Sequence, residues 1–141
     1  MLPVLLVATI LTAAADPGKK DLMTERAFKQ QFSGAQNITW TKTADGLQQV
    51  SFVWGGLRTV AFFDNNAELV GSIRNVFFSH LPLSVIRSVE SNFQSPVVVE
   101  VTEITNQDGT SYSMLLEEKN KKYKVRINSY GDVIEKGRVK K

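Results

Sequence analysis

The sequence contains an internal duplication, and this feature restricts the possible folds more than any other. Residues 59–70 match residues 123–134 at a constant offset of 64, which aligns Phe63 with Ile127 and Asp64 with Asn128. Further upstream, Asp45-Gly46 aligns with Asp108-Gly109 at offset 63, and Phe32 aligns with Phe93 at offset 61. Because the three matches occur in the same order, we predict two tandem copies of one supersecondary unit.

Each copy is predicted to contain one helix followed by four strands. The first helix is indicated by Leu22, Ala27, Phe28 and Phe32 at helical spacing, with Thr24 placed to cap it. The second helix begins near Leu81-Pro82 and ends before Pro96, with an apolar stripe formed by Val85, Ile86, Val89 and Phe93. Alternating hydrophobicity and turn pairs predict strands over residues 37–42, 48–54, 57–63, 68–73, 97–104, 110–118, 121–128 and 132–136.

These elements predict an α+β fold in which the two antiparallel sheets join edge to edge into one layer, with both helices on one face. A copy of about 55 residues buries only a marginal core by itself, so we expect the copies to share one core. The predicted domain covers residues 22–137, with repeat one at 22–73 and repeat two at 81–137. A basic tail follows at residues 138–141.

The first fifteen residues predict a secretory signal peptide. They carry no charged side chain, and an apolar run from Leu2 to Leu11 precedes Ala13-Ala14-Ala15, which resembles an Ala-x-Ala cleavage site. The run is shorter than the roughly 20 residues that span a bilayer. We therefore expect cleavage near Ala15, a linker at residues 16–21 and a periplasmic or secreted protein. No Lys or Arg precedes the run, and the alternative is an N-terminal element of the core.

The composition excludes several kinds of chemistry. The 141 residues include no cysteine and one histidine, His80, so disulfides, thiolate zinc sites and a histidine-based triad have no residues to form them. No phosphate-binding loop, nucleophile elbow or zinc-protease motif occurs. The segment Asp64–Glu68 carries oxygen ligands, but it lacks the glycine and the remote glutamate of a calcium loop and predicts a hairpin turn. We expect no enzymatic activity, no cofactor, no metal and no nucleic-acid partner.

The charge is unevenly distributed along the chain. Residues 119–141 hold nine basic and two acidic side chains, a net charge of +7, whereas the whole chain has a net charge of +3. A basic segment of this kind can attract phosphate or anionic lipid. It can also be a solvated strand edge whose lysines prevent aggregation. Both interpretations remain open at this point.

Strand alternation assigns the two faces of the sheet. Tyr123, Val125 and Ile127 alternate with Lys122, Lys124 and Arg126, so the charged set is predicted to face water and the first set the helix. The duplication then places Arg58, Val60 and Phe62 on the open face, together with Val53. An apolar group on an open sheet face is typical of a partner site. The candidate partner-binding residues are Val53, Arg58, Val60, Phe62, Lys122, Lys124 and Arg126. The alternative is that the Phe77-Phe78 linker, another loop or a second copy covers them.

Several motifs resemble one bacterial family. The run from Phe32 to Trp40 is similar to the pattern F-x-G-A-x-x-V-x-W, and the run from Phe63 to Ala67 is similar to an F-D-x-N-G turn. With Leu81-Pro82 and the run from Asp108 to Tyr112, the chain resembles the beta-lactamase-inhibitor-like proteins of the PepSY-like group over about residues 22–137. Ala67 replaces the usual glycine, and Pro96 stands where a glycine-rich turn is common. The resemblance implies an exported bacterial protein with two repeats, each of one helix and four strands. The family is related to an inhibitor that binds a hydrolase with its concave sheet.

From these observations we predict an exported, non-enzymatic binding module, such as a protein or hydrolase inhibitor, that acts through the open sheet face. Its partner is expected to be an envelope or extracellular protein, and the oligomeric state is left open. The alternative is an envelope-associated structural or sensory module whose basic C-terminus contacts anionic lipid.

Overall fold

The computed structural model describes residues 22–140. The predicted signal peptide at residues 1–15 and the linker at 16–21 lie outside the described residues. Within them, two helices and eight strands follow the predicted order. They are α1 (Leu22–Gln31), β1 (Gln36–Lys42), β2 (Gln48–Trp54), β3 (Leu57–Phe63), β4 (Leu69–Asn75), α2 (Leu83–Asn92), β5 (Val97–Asn106), β6 (Gly109–Glu118), β7 (Lys121–Asn128) and β8 (Val133–Val139).

All eight strands form one antiparallel sheet in the order β1 to β8, so each strand pairs with its neighbour in sequence. Apolar side chains of both helices pack on the same face of this sheet. The α+β architecture with joined sheets and one helical face is therefore confirmed. A short 3-10 helix at Phe78–His80, which the sequence analysis did not predict, interrupts the linker before α2.

Three local features differ from the predictions. Thr24 lies in the first turn of α1 and is buried, rather than capping the helix from outside. Pro82 is the N-cap of α2, one position earlier than predicted. β8 continues to Val139, so Arg138 belongs to a strand that pairs with β7 and not to a free tail.

The turns that follow β3 and β7 have the same geometry at the offset of 64. In the first turn, the Asp64 carboxylate accepts hydrogen bonds from the backbone N–H groups of Asn66 (2.8 Å) and Glu68 (3.0 Å). In the second turn, the Asn128 side-chain oxygen accepts from the N–H groups of Tyr130 (2.9 Å) and Asp132 (3.0 Å). A polar side chain that bonds its own turn thus recurs at both positions, in agreement with the predicted hairpin turns.

The hydrophobic core differs from the prediction, because each half has its own core. In the first half, Phe28 and Phe32 of α1 pack on Val50, Phe52, Ala61 and Phe63. In the second half, Val85 and Val89 of α2 pack with Leu81, Phe93, Val101, Tyr112, Met114, Leu116, Val125 and Ile127. The two clusters have no residue in common, so the prediction of one shared core is wrong.

Polar side chains at the junction of β4 and β5 explain the separation of the two cores. The two halves join through only four register pairs, from Ser72–Thr105 to Asn75–Thr102. On the helix face of this seam, the Arg74 Nε atom lies 2.8 Å from a Glu103 carboxylate oxygen, and the pair is largely shielded from water. A charged pair at the seam cannot serve as apolar core, so burial is concentrated on either side of it.

Candidate binding face

The open face of the sheet is the face opposite the two helices. The predicted inward residues are buried in the two cores, which fixes their strand neighbours on the open face. All seven candidate residues lie on that face and are at least partly accessible, namely Val53, Arg58, Val60, Phe62, Lys122, Lys124 and Arg126. The structure therefore places the candidates on one surface, although the two groups lie in different halves of the sheet.

An apolar stripe crosses the middle of the open face and the seam between the halves. Val60 of β3 pairs with Ile73 of β4, and Ile73 pairs with Ile104 of β5. Ile73 has 38% of its surface exposed, and the other two are half-buried. Directly paired side chains on one face have Cβ atoms about 4.5–5.5 Å apart, so the three form a continuous apolar surface. We call Val60, Ile73 and Ile104 the central stripe.

Ile73 and Ile104 are not among the candidate residues predicted from the sequence. Alternation alone shows that each can face away from a helix, but their proximity to Val60 depends on how β4 pairs with β5. That register comes from packing between the two halves and is not recorded in either repeat. The predicted edge-to-edge joining of the sheets was the signal that both residues lie near the seam, but it did not give the register that places them beside Val60.

Phe62 extends the central stripe on the side toward the β3–β4 turn. It pairs with Gly71 of β4 on the open face, and a register shift follows between Phe62 and Phe63. A Cβ atom at Gly71 would lie 3.0 Å from the Thr105 carbonyl oxygen. The glycine therefore allows β4 and β5 to approach closely, and it leaves the Phe62 ring without a cross-strand side chain on the β4 side, whereas Gln49 of β2 is its register partner on the other side.

The charges of the open face are mixed, so Lys122, Lys124 and Arg126 do not make its second half purely cationic. Lys122 lies 3.8 Å from Glu117, and the Arg126 Nε donates a hydrogen bond of 2.9 Å to the Ser111 hydroxyl. Arg126 also pairs in register with Glu135. Cross-strand pairing thus brings acidic side chains beside the basic ones. The pattern of one strand could not reveal this, because the acidic partners lie on β6 and β8.

A shallow depression of about 300 Å³ opens on the second half of this face. Its rim carries opposite charges from Glu100 and Lys124, and Thr102 and Leu115 contribute polar and apolar surface between them. Next to the central stripe, this depression can receive a side chain that projects from a partner.

The linker between the halves does not cover the open face. Val76, Phe78 and Leu81 pack against the second core on the helix face. The Phe77 ring is 61% exposed and meets His80 edge-to-face at 5.5 Å. The alternative in which the Phe77-Phe78 linker covers the candidate residues is therefore wrong, and a second copy remains the open alternative.

The titratable groups of the described region give no cluster for metal binding. No group of three or more histidine, aspartate or glutamate side chains is placed to hold a metal ion between residues 22 and 140. Burial raises the pKa of the Tyr112 phenol above its ordinary value, and the neighbouring Glu103 carboxylate raises it further. Tyr112 packs in the second core on the helix face, away from the candidate residues. In the same part of the chain, neither helix is long and apolar enough to cross a bilayer.

Comparison with known proteins shows similarity of fold and not of sequence. No family model matches the chain, and no curated protein matches it significantly. A BLIP-like protein from Bacteroides fragilis superimposes with a TM-score of 0.73 at 20% identity, over 87% of this chain and 89% of that one.

Two further solved structures have the same fold. A DUF2874 family protein from Bacteroides uniformis has a TM-score of 0.72 at 17% identity, with coverage of 86% and 91% of the two chains. A protein from Bacteroides eggerthii, provisionally described as periplasmic, has a TM-score of 0.72 at 20% identity with the same coverage. The resemblance to the beta-lactamase-inhibitor-like proteins is thus confirmed at the level of the fold.

Proposed function

We propose that this chain is an exported, non-enzymatic binding module that receives a protein partner on the open face of its sheet. One observation carries the proposal, which is the central stripe of Val60, Ile73 and Ile104 in the middle of a face that no described element covers. Apolar groups that are contiguous, partly exposed and surrounded by polar side chains are typical of protein interfaces.

The surroundings of the stripe favour a protein over a small molecule as the ligand. The depression beside the stripe has a volume of about 300 Å³, which is at the lower end of the volumes that enclose drug-sized ligands. Threonine and serine side chains at the rim, such as Thr39, Ser51 and Ser113, supply hydrogen-bonding groups. An apolar centre with a polar rim is the usual arrangement of a protein–protein interface.

Export is supported by two independent observations. The apolar run and the Ala-x-Ala site at the N-terminus have the pattern of a secretory signal. The B. eggerthii protein with the same fold is provisionally described as periplasmic. The fold also includes a BLIP-like protein. Because the sequence motifs resemble the beta-lactamase-inhibitor-like proteins, inhibition of a hydrolase is one form that the proposed binding could take.

Site-specific photocrosslinking in cells tests the proposal directly. A photoreactive amino acid at position 60 or 62 should give a defined adduct with an envelope protein, and the same group at Lys29 on the outer side of α1 should give none. Adducts that form equally from Lys29, or that form from neither open-face position, would contradict the proposal.

Substitutions then test whether the stripe carries the affinity. With the photoreactive amino acid at position 60, Ile104→Asp and Phe62→Glu should each abolish the adduct, and Arg126→Glu should weaken it. Val99→Asp introduces the same negative charge at an exposed valine of β5 that lies outside the stripe, and it should leave the adduct intact. Circular dichroism of each variant separates loss of binding from loss of folding.

A further inference from the structure

The second half of the sheet projects beyond the first half at one end. The last register pair between β4 and β5 is Asn75–Thr102, so residues 97–101 of β5 extend past the end of β4. β6, β7 and β8 accompany them, and Val97, Glu117, Lys122 and Val139 lie in one row across the four strands. Five residues of strand correspond to a projection of about 16 Å.

The end of this projection is strongly basic. We define the basic tip as the exposed cations at, beyond or one register row inside that last row, namely Lys119, Lys121, Lys122, Arg138 and Lys140. Two carboxylates lie nearby, and both have partners. Glu117 lies 3.8 Å from Lys122, and Glu118 accepts a hydrogen bond from the Gln94 N–H.

The other cations of the basic tip are available to an external ligand. Within residues 22–140, no ion pair involves Lys119, Lys121, Arg138 or Lys140. Lys121, Lys122, Arg138 and Lys140 also surround one shallow depression. Glu117, the partner of Lys122, also lines this depression, so its lining carries four cations and one carboxylate. This excess of positive charge favours an anionic ligand.

The opposite end of the molecule is acidic. Because the sheet is an antiparallel meander, the turns after β1, β3, β5 and β7 all lie at the same end of the strands, opposite the basic tip. These turns carry Asp45, Asp64, Glu68, Asp108 and Asp132. The charge is thus separated along the strand direction, and a negatively charged surface would attract the basic tip and repel the other end.

Apolar side chains accompany the cations at the tip. Val97 has 61% and Val139 has 38% of its surface exposed, and both lie in the last row of the open face. A soluble polyanion gains little from contact with valine. A bilayer interface provides phosphates for the cations and an acyl boundary for the valines.

We propose that the basic tip docks on an anionic lipid surface, with its cations on headgroup phosphates and Val97 and Val139 at the acyl boundary. This function goes beyond partner binding. The central stripe lies well above the tip, so the chain can contact lipid while the middle of its open face remains accessible to a partner.

Vesicle sedimentation tests the proposal with the full chain. The probes are vesicles of phosphatidylglycerol mixed with phosphatidylcholine, and vesicles of phosphatidylcholine alone, which report any binding through the N-terminal apolar run. We expect binding to the anionic vesicles to exceed binding to the zwitterionic ones and to weaken as salt is added. Equal binding to both kinds of vesicle would overturn the proposal.

A matched pair of triple variants locates the contact. Lys121→Glu, Arg138→Glu and Lys140→Glu combined should reduce the affinity for anionic vesicles at least 100-fold, since one cation contributes roughly a fivefold effect near such a surface. The combination of Arg26→Glu, Lys42→Glu and Arg87→Glu makes the same change in net charge away from the tip, and it should retain most of the binding. Equal losses in the two variants would overturn the proposal.

Further variants test whether the tip binds lipid or a second copy of the chain, and whether the tip acts separately from the central stripe. Val97→Ser with Val139→Ser should weaken vesicle binding without changing its dependence on salt, and an unchanged affinity would argue against insertion and overturn the lipid assignment. Self-association at low salt that the tip variant abolishes, without vesicle binding, would assign the tip to a second copy instead. Ile104→Asp should leave vesicle binding unchanged, so this proposal and the proposed function can fail separately.

Discussion

At the scale of single residues, the duplicated turns show how two copies of one unit came to differ. The third residue after Asp64 is Ala67 and the third after Asn128 is Gly131, and both adopt positive φ angles, 62° and 96°. Alanine at such an angle is strained, whereas glycine is not. Gly131 has a second constraint, because a Cβ atom there would lie 2.8 Å from the Ser84 carbonyl oxygen of α2.

The equivalent positions predict opposite effects of exchanging alanine and glycine. Gly131→Ala should lower the free energy of unfolding by roughly 2 kcal/mol or more, since the left-handed conformation alone costs about 1–2 kcal/mol and the contact with α2 adds to it. Ala67→Gly should raise it by up to about 1 kcal/mol, because the relief of strain exceeds the added entropy of the unfolded chain. Urea unfolding of both variants checks this, and destabilisation by Ala67→Gly would contradict it.

Tyr112 predicts a specific dependence of stability on pH. Burial and the Glu103 carboxylate raise its pKa above the ordinary value of 10.0, so the folded state keeps the phenol proton where the unfolded state loses it. The stabilisation is therefore complete below pH 10 and is lost as the pH rises through the raised pKa. Urea unfolding between neutral and alkaline pH should show this fall in the natural chain.

Two phenylalanine variants isolate the contribution of Tyr112. Tyr112→Phe should remove much of the fall in stability above pH 10, because it has no phenol proton to lose. Tyr130→Phe removes a phenol that is 84% exposed, and it should retain the fall seen in the natural chain. A Tyr112→Phe curve parallel to that of the natural chain would show that other groups cause the alkaline loss.

At the scale of elements, the sequence was sufficient for the order and faces of the strands but not for their alignment across the seam. Alternation and turn pairs predicted β2, β3 and β7 with their observed bounds, because each strand buries one face and is flanked by clear turns. The register of β4 with β5 depends on contacts between the halves. For this reason the central stripe and the polar seam could not be predicted.

The projecting part of β5 is a strand edge that could pair with other chains, and neighbouring residues oppose this aggregation. Residues 97–100 have no backbone partner on the side of β4, whereas the Val101 carbonyl accepts a hydrogen bond of 3.2 Å from the Val76 N–H. The sequence of residues 97–101 is Val-Val-Val-Glu-Val. Free apolar edges invite pairing with other chains, and proline, bulges and charges oppose it. The bulge between Val98 and Glu100 and the preceding Pro96 match this pattern.

Glu100→Val should therefore increase self-association, since it makes a run of five consecutive valines, of which the first four lie on the free edge. Light scattering at constant protein concentration measures the effect. Thr102→Val makes a similar change where β5 is paired with β4, and it should scatter like the natural chain. Equal scattering by the two variants would show that the free edge is not the cause.

At the scale of the whole molecule, one continuous sheet connects two separate cores. The hydrogen-bonded strands join the halves through four register pairs and one ion pair, whereas nearly all apolar burial occurs within a half. Hydrophobic burial is the dominant stabilising contribution in folding. Most of the stabilisation of each half therefore comes from its own core, and contacts across the seam contribute only a smaller part.

The duplicated phenylalanines at the ends of the two helices test this division. Phe32 and Phe93 are equivalent in the repeat and are 7% and 5% exposed, one in each core. Truncation to alanine should cost about 3–5 kcal/mol in either case. Because the cores are separate, Phe32→Ala should accelerate amide hydrogen exchange chiefly in β1 to β3, and Phe93→Ala chiefly in β6 and β7.

Each variant is the control for the other, because the chemical change is the same and only the half differs. If both truncations accelerated exchange equally throughout the sheet, the molecule would unfold as one cooperative unit, and the polar seam would have to transmit stability as effectively as an apolar core does.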